Sequence, residues 1–358
     1  MKTNIFRLGL VLPAVWGLST RLAAWDYTGH RMVNQVALQS LPADFPAFVR
    51  EAANVERVAF LSGEPDRWRN VSDPIMKQSG GSWLDHFCDL EQISDAGMKP
   101  ETVPSFRFDF IVQFAAGRAA HPDKFPAIDA TKNADHTREW PGFAPWAIAE
   151  YYARLRSAFA YLKVFEELGT AEEITNAKAN AVYVMGVMGH YVGDCAQPLH
   201  TTVHHNGWVG ANPNDYTTWN GIHSWIDGGF IAKAGISMAE VAAKTALVRP
   251  ISPAARMDGR EPLFVAVMDY LIASHGLVVP LYAMDKAGAF KIEDGAGPKT
   301  AGRDFIVSRL RAGGEMLGAI WLTAWKSAPP DTYLRAQLIK RQAAGVAAPT
   351  ATSVPVKS

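Results

Sequence analysis

Gly189-His-Tyr-Val-Gly-Asp-Cys-Ala-Gln-Pro-Leu-His200 is the run of this sequence richest in reactive residue types. His190 and Asp194 stand four apart, which on a helix stacks their side chains on one face, able to grip one ion. Pro198 must end that helix, so His200 falls just past the break and can turn towards a neighbouring ion. The surroundings from Val182 to Val192 are mostly apolar, where an unpaired carboxylate is costly. A metal would answer that cost. A structural Arg or Lys would answer it too, and this stretch alone leaves both open.

Three further segments carry the same chemistry. In Ile222-His-Ser-Trp-Ile-Asp227 the His/Asp spacing recurs. His223, Asp227 and His200 would make a two-His, one-carboxylate set, which leaves a coordination position open as a catalytic zinc requires. His86-Phe-Cys-Asp89-Leu-Glu91 and Gly63-Glu-Pro-Asp66-Arg-Trp-Arg69 add acids, an imidazole and guanidinium groups. Each alone also reads as a helix cap or a surface charge pair. There is no Gly-x-Ser-x-Gly elbow and no P-loop to compete.

The elements that must position these residues are helical. Apolar spacing predicts helices over His30–Leu41, Ala144–Leu168, Glu261–Met284 and Ile306–Trp325. Thr170 with Glu173 forms a capping-box start for another, which runs to about Gln197 and stops at Pro198. Gly and Pro collect in the connections, at Pro141-Gly142 and from Gly207 to Pro213. Strand-like alternation is scarce, and there is no internal repeat or convincing linker. The expectation is an all-α fold, a single mainly helical domain over residues 25–341. The Ala-, Thr-, Val- and Pro-rich tail, 342–358, is expected to be disordered.

Composition narrows the class. The chain has 358 residues, 35 basic and 35 acidic, and 48% hydrophobic residues. That allows a sizeable core and gives no sign of the basic surface of a DNA-coating protein. Residues 1–24 read as an export signal: Lys2 and Arg7, an apolar run from Leu8 to Leu18, then Ala23-Ala24 at a cleavage point. Their removal takes three basic residues and no acids, and the mature chain is then acidic by about three charges. The apolar run is too short to span a bilayer comfortably, and no later segment reads as a span. The expected location is secreted or periplasmic. Two cysteines, Cys88 and Cys195, exclude a disulfide framework.

Taken in order, the segments resemble the zinc-dependent S-one/P-one nuclease family, relatives of the zinc-dependent phospholipases C. Trp25-Asp-Tyr-Thr-Gly-His30 is similar to the family's N-terminal Trp with a His five residues on. Asp66 with Arg69, the run His86-Phe87-x-Asp89-x-Glu91, the long motif from His190 to His200, and His223-Ser with Asp227 resemble its other signatures. The resemblance implies three zinc ions in one cleft. One would be held by Asp66, His86, His190 and Asp194, and a second by His200, His223 and Asp227. The third would use His30, a bridging Asp194, and the amino nitrogen and carbonyl oxygen of Trp25, which selects cleavage after Ala24.

The same resemblance implies hydrolysis of single-stranded DNA or RNA, or of nucleotides, to 5′-phosphate products by metal-activated water. Arg69 would face the transition state, Asp89 would lie near the water and base, and Phe87 could stack on a base. A phospholipase C acting on lipid headgroups and a non-catalytic exported zinc-binding protein are the alternatives. A monomer with no stable protein partner is expected. The stretch between His86 and His190 is longer than in compact members, includes His121, His136 and the aromatic-rich 140–152, and is expected to border the cleft. His204 and His205 read as surface or supporting residues, and His275 as structural. Because His86 and Asp194 would share an ion, Cys88 and Cys195 could lie close enough to oxidise, with two free thiols as the alternative.

Overall fold

Every regular element among the described residues is helical, and none is a strand. The structure is a computed structural model, and it describes residues 25–70, 75–76, 83–252, 258–293 and 297–345. The expected export signal (1–24) and residues 346–358 of the expected tail lie outside them. The helices are α1 (Tyr27–Ser40), α2 (Ala52–Leu61), α3 (Glu64–Arg69), α4 (Leu90–Asp95), α5 (Arg107–Ala120), α6 (Ala144–Leu168) and α7 (Ala171–Ala196). They continue with α8 (Ile222–Ser224), α9 (Phe230–Ala234), α10 (Met238–Ala242), α11 (Pro262–His275), α12 (Val278–Lys286), α13 (Thr300–Ser327) and α14 (Thr332–Ala343). The chain is one mainly helical domain, as its periodicity predicts.

The helix that carries His190 and Asp194 is fixed at both ends by chemistry written in the sequence. At its start the Thr170 hydroxyl accepts from the Glu173 amide at 3.2 Å, and the Glu173 carboxylate accepts from the Thr170 amide at 2.9 Å. At its end the Gln197 amide takes the Asp194 carbonyl at 3.0 Å, and Pro198 has no amide with which to continue. Between these ends α7 packs on α1, α2, α6 and α13. Its last turns are buried on every side, from Met185 to Ala196.

Close approach to α1 requires missing side chains. A Cβ on Gly189 would lie 1.7 Å from Asn34 Oδ1. Asn34 cannot retreat without cost, because its amide nitrogen donates to the carbonyls of Val58 and Gly186, at 2.8 and 3.0 Å. One polar side chain thereby ties α1 to α2 and, at Gly186, to α7, four residues before the candidate ligand His190.

Three expectations need correction. The helix expected over Glu261–Met284 is two, α11 and α12, broken at Gly276-Leu277. Pro280 explains the break, since it cannot bond the Gly276 carbonyl and its ring would clash there. The segment Pro262–Lys286 is also long and apolar enough to cross a bilayer, contrary to the sequence reading. Here it packs in the core, burying Leu263, Phe264, Val267, Met268, Leu271 and Leu281. Finally, Gln342 and Ala343, placed in the expected tail, complete α14.

Replacing Gly189 by alanine should destabilise the fold by about 1–3 kcal/mol through overpacking against Asn34. Urea unfolding of G189A against the parent measures this. An unchanged midpoint would mean that the α1–α7 contact is looser than the structure has it.

Candidate metal centre

Five separate stretches of chain converge at the C-terminal end of α7. His190 and Asp194 project from its last two turns, His30 comes from α1, Asp66 from α3, and His86 from the short 3-10 turn Trp83–His86. His200 sits in a second 3-10 turn, Pro198–Thr201, directly after the proline break. His223 precedes an unusual element and Asp227 lies within it, since α8 passes into a π-helical turn over Trp225–Gly229. The sequence spacing assumes an α-helix here; the wider turn still leaves His223 Nε2 2.9 Å from Asp227 Oδ2.

These side chains form three adjoining groups whose ligand atoms lie within 4.8 Å of one another: His30, His190 and Asp194; Asp66, His86 and His190; His200, His223 and Asp227. His30 Nε2 is 3.3 Å from Asp194 Oδ1, and its ring stacks on His190 at 3.8 Å. His86 Nδ1 lies 3.1 Å from Asp194 Oδ2 and 2.8 Å from His190 Nε2. His200 Nε2 lies 3.0 Å from His223 Nε2. Trp25 is wholly buried beside them, its indole nitrogen donating to the Gly193 carbonyl at 2.8 Å.

Backbone carbonyls decide which ring nitrogen is bare. His190 Nδ1 donates to the Ser62 carbonyl at 2.7 Å, and His200 Nδ1 donates to the His86 carbonyl at 2.8 Å. A carbonyl only accepts, so the proton of each neutral ring stays on Nδ1, and each Nε2 lone pair points into the cluster. Gln197, given no role in the sequence reading, positions a carboxylate in the same way. It donates to Asp227 Oδ1 at 2.6 Å and accepts from the Leu199 amide at 2.6 Å, which turns Asp227 Oδ2 towards His223.

Whether a cation fits can be judged from what is left over. Asp194 Oδ1 and both ring nitrogens of His30 are buried without a hydrogen bond among the described residues, and Asp227 Oδ2 faces His223 Nε2 at 2.9 Å. Buried groups left in this way are expensive, and converging acceptors are what a cation satisfies. The side chains present therefore fit divalent metal, with His30, Asp66, His86, His190, Asp194, His200, His223 and Asp227 as donors.

The cluster opens on a cleft of about 670 Å³, lined by His86, His200 and His223 together with Arg69, Phe87 and Asp89. Arg69 is buried, pairs with Asp66 at 2.8 Å and lies over the Trp83 ring at 5.3 Å. Asp89 accepts from Gln92 Nε2 at 2.9 Å, and burial first, then Glu91, pushes its carboxyl up to about 8. Phe87 meets Trp83 edge-on at 6.4 Å. The long segment between His86 and His190 borders this cleft through Lys132, Asp135, Thr137, Arg138 and Trp140. Of these only Trp140 lies in the aromatic stretch singled out from sequence.

The remaining histidines and cysteines have other places. His205 lines the cleft and donates from Nδ1 to the Thr202 carbonyl at 3.1 Å. His204 stacks on Trp208 at 3.9 Å, and His275 Nδ1 donates to the Thr201 carbonyl at 2.9 Å. Neither belongs to a ligand group among the described residues. Cys88 and Cys195 are both buried free thiols.

Without metal, the cluster holds protons that an ion must displace. Burial above all pushes Asp194 well above the carboxylate range and Asp66 up to about 6. His200 is pulled down by burial, but Asp194 and Asp227 outweigh this and lift it to about 9. His200 therefore carries a proton near neutrality and must lose it to ligate. Metal affinity should thus rise with pH from about 6 to about 9, with net proton release. Calorimetric titration of metal into chelator-treated protein, in two buffers of different ionisation enthalpy, measures the release; proton-neutral binding of constant affinity would contradict the ligand assignment. Comparisons with family models, with curated proteins and with solved structures find no match to the chain, so function rests on this geometry.

Proposed function

We propose that the chain is an exported, zinc-dependent phosphoesterase of the S-one/P-one nuclease kind. It hydrolyses single-stranded DNA or RNA to 5′-phosphate products and acts also on 3′-nucleotides. The observation that carries this reading is the set of three adjoining His/Asp groups, two of which reach one open cleft through His86, His200 and His223, with Arg69 and Asp89 lining it too. Five of the eight side-chain donors are imidazoles, a set that favours zinc over magnesium or calcium. Ions held there supply Lewis-acid charge, which makes a water nucleophilic near neutral pH and offsets the charge of a phosphate.

The chain's own groups divide the remaining work. Arg69 offers planar N–H donors to a phosphate oxygen, with Asp66 and the face of Trp83 fixing its direction. Asp89, its Oδ2 held by Gln92, keeps Oδ1 to accept or carry a proton at the water or at a base edge. Phe87 gives a base an apolar edge to rest on. Processing after Ala24 would free the α-amine of Trp25, whose indole is anchored on the Gly193 carbonyl, and an amine of ordinary pKa loses its proton to a metal at mild cost.

A phospholipase reading has one observation in its favour. An apolar groove lined by Phe114, Phe125 and Ile128 shares Trp140 with the cleft and could take an acyl chain. Zinc-loaded protein assayed on single-stranded DNA, a 3′-mononucleotide and phosphatidylcholine separates the readings. We expect turnover of both nucleic-acid substrates, and a loss of at least about a hundredfold in R69A, on the scale of removing one transition-state donor. Lipid turnover without nucleic-acid turnover would overturn the proposal, and inactivity on all three would leave only a metal-binding protein.

A mature chain carrying one extra residue before Trp25 presents an amide in place of the amine. It should lose most activity; full activity would refute the terminal ligand.

A further inference from the structure

We infer that residues 132–140 form a subsite for the nucleotide next to the one cleaved, with Lys132 and Arg138 on its phosphate and Trp140 beside its base. The inference rests on the nucleic-acid reading above and deepens it. Lys132, Arg138 and Trp140 line the same cleft as His86, His200 and His223, although they come from a connection far from any ligand in sequence.

The connection is built rather than merely nearby. Asn133 donates to Glu139 Oε1 at 2.6 Å and accepts from the Arg138 amide at 3.0 Å. Arg118 of α5 holds the Glu139 carbonyl at 3.1 Å, and Arg138 Nε holds the Lys132 carbonyl at 2.7 Å. At its far end the connection is stitched to the stretch that carries His86. The Asp89 amide donates to Pro141, Phe143 to Leu84 and Ala144 to Phe87, at 2.6, 2.6 and 3.2 Å. Gly142 makes that seam, with φ +94° and no room for a Cβ, which would sit 2.2 Å from the Phe87 carbonyl oxygen. The subsite and the metal centre therefore hold one fixed geometry.

The charges of this wall are available to a ligand. Arg69 is engaged by Asp66, whereas Lys132 meets Asp129 only at 3.5 Å, with side chains 70% and 50% exposed. Such a pair is worth little in water. Arg138 is exposed and forms no ion pair with a carboxylate among the described residues. Of the two acids in 132–140, Asp135 lines the cleft, and its Oδ1 is turned back to cap the Thr137 amide and hydroxyl, while Glu139 accepts from Asn133. A phospholipid brings one phosphodiester, which the metal centre itself takes. A second pair of cations with an aromatic side chain matches a chain of successive phosphates and bases.

The test compares zinc-loaded parent protein with Lys132→Ala/Arg138→Ala and with the charge reversal Lys132→Glu/Arg138→Glu. Each is assayed on a short thymidylate oligonucleotide and on a 3′-mononucleotide across a salt series. The ratio of kcat/KM, oligonucleotide over mononucleotide, should fall about tenfold in the alanine pair, chiefly through KM, and further in the reversal. The salt slope for the oligonucleotide should flatten by about 1.4, or 0.7 for each lost contact to a single strand. Equal losses on both substrates, or no change in either, would overturn the subsite while parent activity on the oligonucleotide upholds the nuclease reading. A parent that cleaves lipid and neither nucleotide substrate would overturn both.

Discussion

The structure turns on burying two carboxylates, Asp194 and Asp227, among five imidazoles, with Asp194 Oδ1 left without a hydrogen bond among the described residues. A cation could complete such an arrangement, and the surrounding chain holds it ready. The carbonyls of Ser62 and His86 fix the rings of His190 and His200 with bare nitrogens inward. The His86 carbonyl does this for a ligand of a different group, so the groups are mechanically joined. Gln197 turns Asp227, and the Gly193 carbonyl anchors Trp25.

Packing supplies the rigidity this needs. The buried end of α7 is tied to α1 and α2 by Asn34, and α1 in turn packs along α13. A shift of α7 would move His190 and Asp194 together away from His30. The absence of side chains at Gly189 and Gly193 is therefore part of the site, as the Gly193 Cα faces the His30 ring. On the other side of the cleft, the connection ending at Gly142 seals the stretch from His86 to Asp89 to a wall with cations of its own.

Much of this was legible in the sequence because it is local. The Thr170/Glu173 box and Pro198 delimit α7, and the i,i+4 spacing of His190 and Asp194 puts both on one face whatever the rest does. The break at Gly276 was missed because apolar periodicity continues across it, and Pro280 acts on a carbonyl four residues back. The π-helical turn at Trp225–Gly229 has no such local signal, although His223 and Asp227 still meet. What spacing alone could not give was long-range. That includes the carbonyls which set the histidine tautomers, the hold of Gln197 on Asp227, and the approach of Lys132 and Arg138 to His86 across an intervening connection.

Everything above depends on a cation in the cluster, and the metal content of the protein tests this most directly. Chain purified from a zinc-supplemented host without chelators, with Trp25 as its first residue, should carry three zinc ions by elemental analysis. Anomalous scattering at the zinc edge should place them among His30, Asp66, His86, His190, Asp194, His200, His223 and Asp227. Protein that folds with no bound metal, and that gains no thermal stability from added zinc, would contradict the account.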